Sequence, residues 1–162
     1  MTAKIYVDHL AYVHYEHSDL DSFKEFAKDF GLVETPMEHN DGILYFHGYG
    51  KDPISYIASP CAPQTKPKFR GAGFAARTRE DFYRACGLPG ATIQETHNRP
   101  GGGSLVSILD PNGFIVDIVW GQQEKAVTAE DASSSINHAV AMNGAIEKQR
   151  LGMFRISHSS FP

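Results

Sequence analysis

Cysteine is scarce: the 162 residues hold two, Cys61 and Cys86. They form no CxxC pair and no zinc-ribbon spacing, which excludes the common structural zinc sites. They read as two reduced structural thiols in a cytosolic setting. Apolar runs are short, and none approaches the roughly 20 residues that span a bilayer. The stretch from Met1 to His9 lacks the apolar core of a secretory signal. Basic clusters are missing and the net charge is −4, which argues against nucleic acid and anionic membrane as partners. What is present is ordinary for a soluble protein: 41% hydrophobic and 21% charged residues. The length suits one compact domain or two small modules sharing a core.

Punctuation along the chain predicts a repeated unit. Residues 4–13 read as a strand. Ser18 is the expected N-cap of a helix, with Asp21 as its capping-box partner. Phe23, Phe26 and Phe30 recur at helical spacing as a core stripe, and Gly31 is the expected C′ glycine. Short strands follow over 32–35, 43–47 and 54–59, with Asp41-Gly42 as a hairpin signal. Pro60, Pro63 and Pro67 mark a linker. The pattern then restarts: a strand over 70–77, Thr78 with Asp81 as a second capping box, Gly87 as a second C′ glycine, and strands over 91–97, 104–109 and 114–120. Each module, about 4–59 and about 70–121, reads as βαβββ, and the offset is about 60 residues. Residues 122–162 are richer in Gln, Ser, Asn and Lys. They read as a C-terminal linker or arm with a short helix over 136–150, or as the approach to a further domain. Such an arm suits a homodimer.

Asp117 stands alone among branched residues in the strand that follows the Asp110-Pro111-Asn112-Gly113 turn. A carboxylate inside an apolar strand is costly unless a partner satisfies it, and His9 is the best candidate. His14, His17 and His97 read as solvated or capping, and His39, His138 and His158 lie in polar surroundings. The triple glycine 101–103 leads into a strand and lacks a following Lys, so it is not a phosphate loop.

Tandem βαβββ modules, the opening strand Val7-Asp8-His9-Leu10-Ala11-Tyr12-Val13 and the segment from Asp110 to Trp120 together resemble the vicinal oxygen chelate superfamily. That superfamily includes glyoxalase I, bleomycin resistance proteins and extradiol dioxygenases. His14-Tyr15-Glu16-His17, the Gly48–Pro53 turn, Pro100–Gly103 and Trp120-Gly121-Gln122 resemble the N-terminal portion of fungal extradiol dioxygenase-like proteins. The resemblance implies an α+β fold over residues 1–121 whose curled sheet forms a cup, and a divalent metal held by the first and last strands of both modules. Iron or manganese comes before zinc or nickel. Carried over position by position, it offers His9 and Asp117 as good ligands, Tyr56 as a poor one and Gly71 as none, an incomplete set that also allows no metal at all. It further implies a small oxygenated, aromatic substrate, with Tyr56 and His47 as contacts. His9 and Asp117 would be metal ligands or a His–Asp base pair. The alternatives it leaves are a non-catalytic N-terminal domain of a two-domain dioxygenase, and a metal-free binding protein or isomerase.

Overall fold

A computed structural model describes residues 4–38, 41–62 and 64–127. The chain divides after Lys125 into two units, and all the elements below lie in the first. The helix expected over 136–150, most of the expected arm, and His39, His138 and His158 fall outside the described residues.

The elements run β1 (Val7–His17), α1 (Leu20–Asp29), β2 (Val33–Thr35), β3 (Leu44–His47) and β4 (Tyr56–Pro60), then β5 (Lys68–Ala76), α2 (Arg79–Cys86), β6 (Thr92–Glu95), β7 (Ser104–Leu109) and β8 (Ile115–Trp120). This is βαβββ twice, in the order the sequence predicts. The caps differ in part. Helix α1 is capped by Asp19, not Ser18: its carboxylate accepts from the Ser22 amide at 3.0 Å and from Ser22 Oγ at 2.6 Å. Gly31, at φ +88°, closes α1 as expected: its amide donates to the Lys28 carbonyl and that of Leu32 to the Ala27 carbonyl. Thr78 caps α2 and pairs with Asp81. Asp81 is buried and also accepts from the Tyr6 amide at 3.1 Å, tying the entry of β1 to α2. Gly87 is the C-cap residue itself, at φ −83°, so no left-handed glycine ends α2.

All eight strands form one open, curled sheet in the order β2-β3-β4-β1-β5-β8-β7-β6. The modules meet where β1 runs antiparallel to β5, and each first strand pairs in parallel with its own last strand. Val13 pairs with both Ala72 and Tyr56, and Ala72 pairs with Val116. A twofold relation through that register superposes His14 on Gly73 and Ile57 on Asp117.

One face of the sheet carries the helices. Phe23 and Ala27 of α1 pack on Leu44, Phe46 and Ala58. Phe82 and Ala85 of α2 pack on Ala76, Val106 and Ile118. Of the expected phenylalanine stripe only Phe23 is core; Phe26 and Phe30 are 58% and 56% exposed. The opposite face holds a third cluster, in which Tyr45 of β3 joins Leu105 of β7 through Tyr12, Ile57 and Val119. Strands β3 and β7 are five places apart in the sheet order, about 24 Å in a flat sheet. Their shared cluster requires the sheet to curl into a cup.

Candidate functional site

Asp117 is satisfied across the strands. Tyr12, Gly73, Asp117 and Ser107 form one row over β1, β5, β8 and β7. The Tyr12 hydroxyl donates to Asp117 Oδ2 at 2.7 Å and Ser107 Oγ donates to Oδ1 at 2.5 Å. Each such bond to a charged acceptor contributes about 1.5–3 kcal/mol. Gly73 makes the row possible. A Cβ there would lie 2.5 Å from Tyr12 Cε1, 2.8 Å from Cε2, and closer still to Cζ. Only a residue without a side chain lets the phenol ring lie across β5 and reach β8. Burial, followed by the Asp117 charge, pushes the Tyr12 hydroxyl well above its ordinary pKa, so it stays a donor.

Beside this row, His14 shares a 2.9 Å hydrogen bond between Nε2 and Ser59 Oγ. Burial pushes its pKa down to about 4, and the Arg70 and Arg99 charges add to the shift, so the imidazole is neutral near pH 7. Arg99 comes from the loop between β6 and β7. His14, Arg99, Ser107 and Asp117 line a cavity of about 150 Å³ with Ile43, Tyr45, Ile57, Gly71, Gln94 and Ile115. Polar and apolar side chains line it in about equal measure, and the polar groups converge on one space, as they do at a small-molecule site.

The four sequence-predicted residues fall in four places. Asp117 lines this cavity. His9 does not: it lies in a separate rim cleft of about 330 Å³ with Asp8, Asp52, Arg77 and Glu124. Its Nδ1 meets Asp8 Oδ2 at 2.9 Å and its Nε2 meets Asp52 Oδ1 at 3.0 Å. The Asp8 bond is the largest influence on the His9 pKa; burial opposes it, and the Asp52 bond with the charges of both carboxylates leaves the value raised. The expected His9–Asp117 hydrogen bond is therefore not formed. His9 pairs with Ala75 and Ala75 with Val119, two residues along β8 from Asp117, and the pairing of β1 with β5 is irregular between Leu10 and Tyr12, just beyond His9. A bulge moves the in–out alternation by one residue, so Tyr12 and His14 take the cup positions that strict counting from His9 gives to Ala11 and Val13. Tyr56 is on the other face. It stacks on Phe23 at 4.9 Å and shares a 3.0 Å hydrogen bond with His17 Nε2, while its neighbour Ile57 lines the cup. Thus His17, expected to be solvated, is part of the helix-side packing. His47 caps its own strand end, with Nδ1 3.1 Å from the Gly48 carbonyl, and is absent from the residues lining this cavity.

Sequence reasoning missed Tyr12, His14, Arg99 and Ser107. Ser107 carried a signal: it directly precedes Ile108 on the strand paired with β8, at the spacing that puts its side chain opposite Asp117. Arg99 sits in a turn with no periodicity to read.

At the four twofold-related positions stand His14, Ile57, Gly73 and Asp117. Two of these donate, and both Asp117 oxygens already accept hydroxyl bonds. Among the described residues no group of three His, Cys, Asp or Glu side chains converges as a metal ion requires. The donor set of this cup does not fit a resident metal.

No family model and no curated protein matches the chain. Solved structures do. The Mn(II)-bound glyoxalase from Novosphingobium aromaticivorans superposes with a TM-score of 0.63 at 19% identity, over 77% of this chain and 42% of that one. Homoprotocatechuate 2,3-dioxygenase from Brevibacterium fuscum, in complex with 3,4-dihydroxyphenylacetate, gives 0.61 at 16%, over 78% and 40%. The 2,3-dioxygenase LapB from Pseudomonas sp. KL28 gives 0.61 at 20%, over 77% and 44%. The chain spans less than half the length of each. With two βαβββ modules, one curled sheet and these neighbours, the chain has the vicinal oxygen chelate fold.

Proposed function

We propose that the cup binds a small oxygenated, aromatic molecule, and that it does so without a metal held by the cup itself. The observation that carries this reading is the Tyr12–Asp117–Ser107 row, which turns the position of a superfamily-type metal ligand into a hydrogen-bonded wall. A cavity of about 150 Å³ is the size that holds one benzene-sized ring. Gly71 and Ile57 leave flat apolar surface for such a ring, and His14 and Ser107 supply polar groups for its oxygens. If the site is catalytic, neutral His14 is the group placed to accept a proton from a ligand hydroxyl, with Asp117 holding the Tyr12 hydroxyl in orientation. This gives isomerase-type or proton-transfer chemistry precedence over ring cleavage. A second reading, a structural module beside a separate catalytic domain, is favoured by the same shortage of metal donors.

Two measurements on the 162-residue chain test the proposal. Purified without chelator, the protein should carry well under one equivalent of iron, manganese, zinc or nickel. Calorimetric titration with 4-methylcatechol should show one site per chain, weakened at least tenfold in His14→Ala and unaffected by EDTA. Stoichiometric metal lost in an Asp117→Ala variant would overturn the metal-free reading, and failure of any catechol to bind would favour the structural module.

A further inference from the structure

Arg99 is the cation of the cup, and the loop around it is built to present it. Thr96, 4% exposed, closes that loop: its amide donates to the Gly103 carbonyl at 3.0 Å and its hydroxyl to the Gly102 carbonyl at 2.8 Å. The Arg99 amide donates to the Thr96 carbonyl at 2.9 Å, and the Gly102 amide to the Arg99 carbonyl at 3.0 Å. Gly101, Gly102 and Gly103 all have positive φ. A Cβ on Gly101 would come 2.5 Å from Pro53 Cγ, and one on Gly103 2.6 Å from the Trp120 carbonyl. The triple glycine thus packs the turn against the module core and fixes the backbone from which Arg99 enters the cavity.

Among the described residues Arg99 forms no ion pair, whereas Arg70, the other cation near His14, is held by Glu16 at 3.4 Å. Asp117, the one carboxylate lining the cavity, has each oxygen taken by a hydroxyl at hydrogen-bond distance. The other polar neighbours of the guanidinium, Tyr12, His14 and Tyr45, are neutral near pH 7. The guanidinium hydrogen-bonds the Tyr12 hydroxyl; its remaining donors, half-buried and facing neutral groups and an occupied carboxylate, are matched by an incoming oxyanion.

We propose that Arg99 is a carboxylate anchor, so that the ligand of the cup is a small aromatic acid whose ring lies over Gly71 and Ile57 and whose carboxylate meets the guanidinium. This rests on the cup being a ligand site and adds the charge and class of the ligand. Arg99 then sets specificity: it is a fork that pairs with two carboxylate oxygens, which Lys at the same position cannot reproduce.

The test compares 3,4-dihydroxyphenylacetate with 4-methylcatechol, which shares the ring and both hydroxyls and lacks the carboxylate. In calorimetric titrations of the 162-residue chain the acid should bind at least tenfold more tightly. Arg99→Gln should abolish that preference, so that the two compounds bind within twofold of each other, and an unchanged urea midpoint shows that the variant is folded. Arg99→Lys should fall between. Equal affinities in the unaltered protein, or a preference for the acid that survives in Arg99→Gln, would overturn the anchor while leaving the cup as a catechol site. No binding of either compound would overturn both.

Discussion

Replacing Gly73 by Ala tests the cross-strand row most directly. The backbone at Gly73 is not in the left-handed region, so alanine brings no strain of its own. The added methyl would stand 2.5 Å from Tyr12 Cε1, whereas carbon atoms pack at about 3.5 Å. The ring must therefore retreat by about 1 Å. Tyr12 is 2% exposed and held by core neighbours, so the retreat strains a packed interior at about 1–3 kcal/mol. It also stretches the 2.7 Å bond to Asp117 past the range of O–H···O bonds, at about 1.5–3 kcal/mol. Lower entropy of the unfolded chain returns about 0.4–1 kcal/mol. The net loss is about 1.5–5.5 kcal/mol, read from urea unfolding followed by circular dichroism. Tyr12→Ala removes the ring, and in that background the same glycine replacement should cost less than about 1 kcal/mol. A cost equal in both backgrounds, or below about 0.5 kcal/mol in the parent, would refute the claim that Gly73 exists to seat Tyr12.

His14 and His9 make opposite predictions. Burial holds His14 neutral, with its pKa lowered from 6.5 to about 4. Its folded pKa is depressed, so the stability it permits is complete above about pH 6.5 and is lost as pH falls toward 4. Urea midpoints between pH 4.5 and 7 should fall more steeply in the parent than in His14→Gln, and parallel curves would rule the burial argument out. His9 has a raised pKa, so its ion pairs stabilise the fold below about pH 6.5 and are lost as pH rises through the raised value. The pairs are exposed, with His9 at 44%, and His9→Ala should cost less than about 1 kcal/mol, more at pH 5.5 than at pH 8. It should leave catechol affinity unchanged; a tenfold loss would return His9 to the ligand site.

Much of the fold was legible because local chemistry decides it. Thr78 with Asp81 and the left-handed Gly31 mark helix ends through bonds that close within four residues. Asp110 to Gly113 turns the chain through the Asp110 carboxylate, which accepts from the Asn112 and Phe114 amides at 2.8 Å. The sequence also singled out Asp117, since a carboxylate between Val116 and Ile118 must have a purpose.

The identity of its partner was not legible. Counting by twos from His9 along β1 leads to Ala11 and Val13 as the next cup residues, and that count holds only for an unbroken ladder. The irregularity between Leu10 and Tyr12 in the pairing of β1 with β5 turns Tyr12 and His14 inward instead, and it depends on how the modules dock across the centre of the sheet. The same docking lays Tyr12 over Gly73, a contact between residues 61 positions apart in sequence. Tyr56 and Ile57 illustrate the point: one residue of register separates a ring stacked under α1 from an aliphatic wall of the cup. Arg99 enters the cavity from a turn, where no period exists to betray it. The sequence by itself determined two βαβββ modules and one carboxylate that had to be answered. Tertiary structure decided what answers it, because strand register and the curl of the sheet are set by packing between residues distant in the chain.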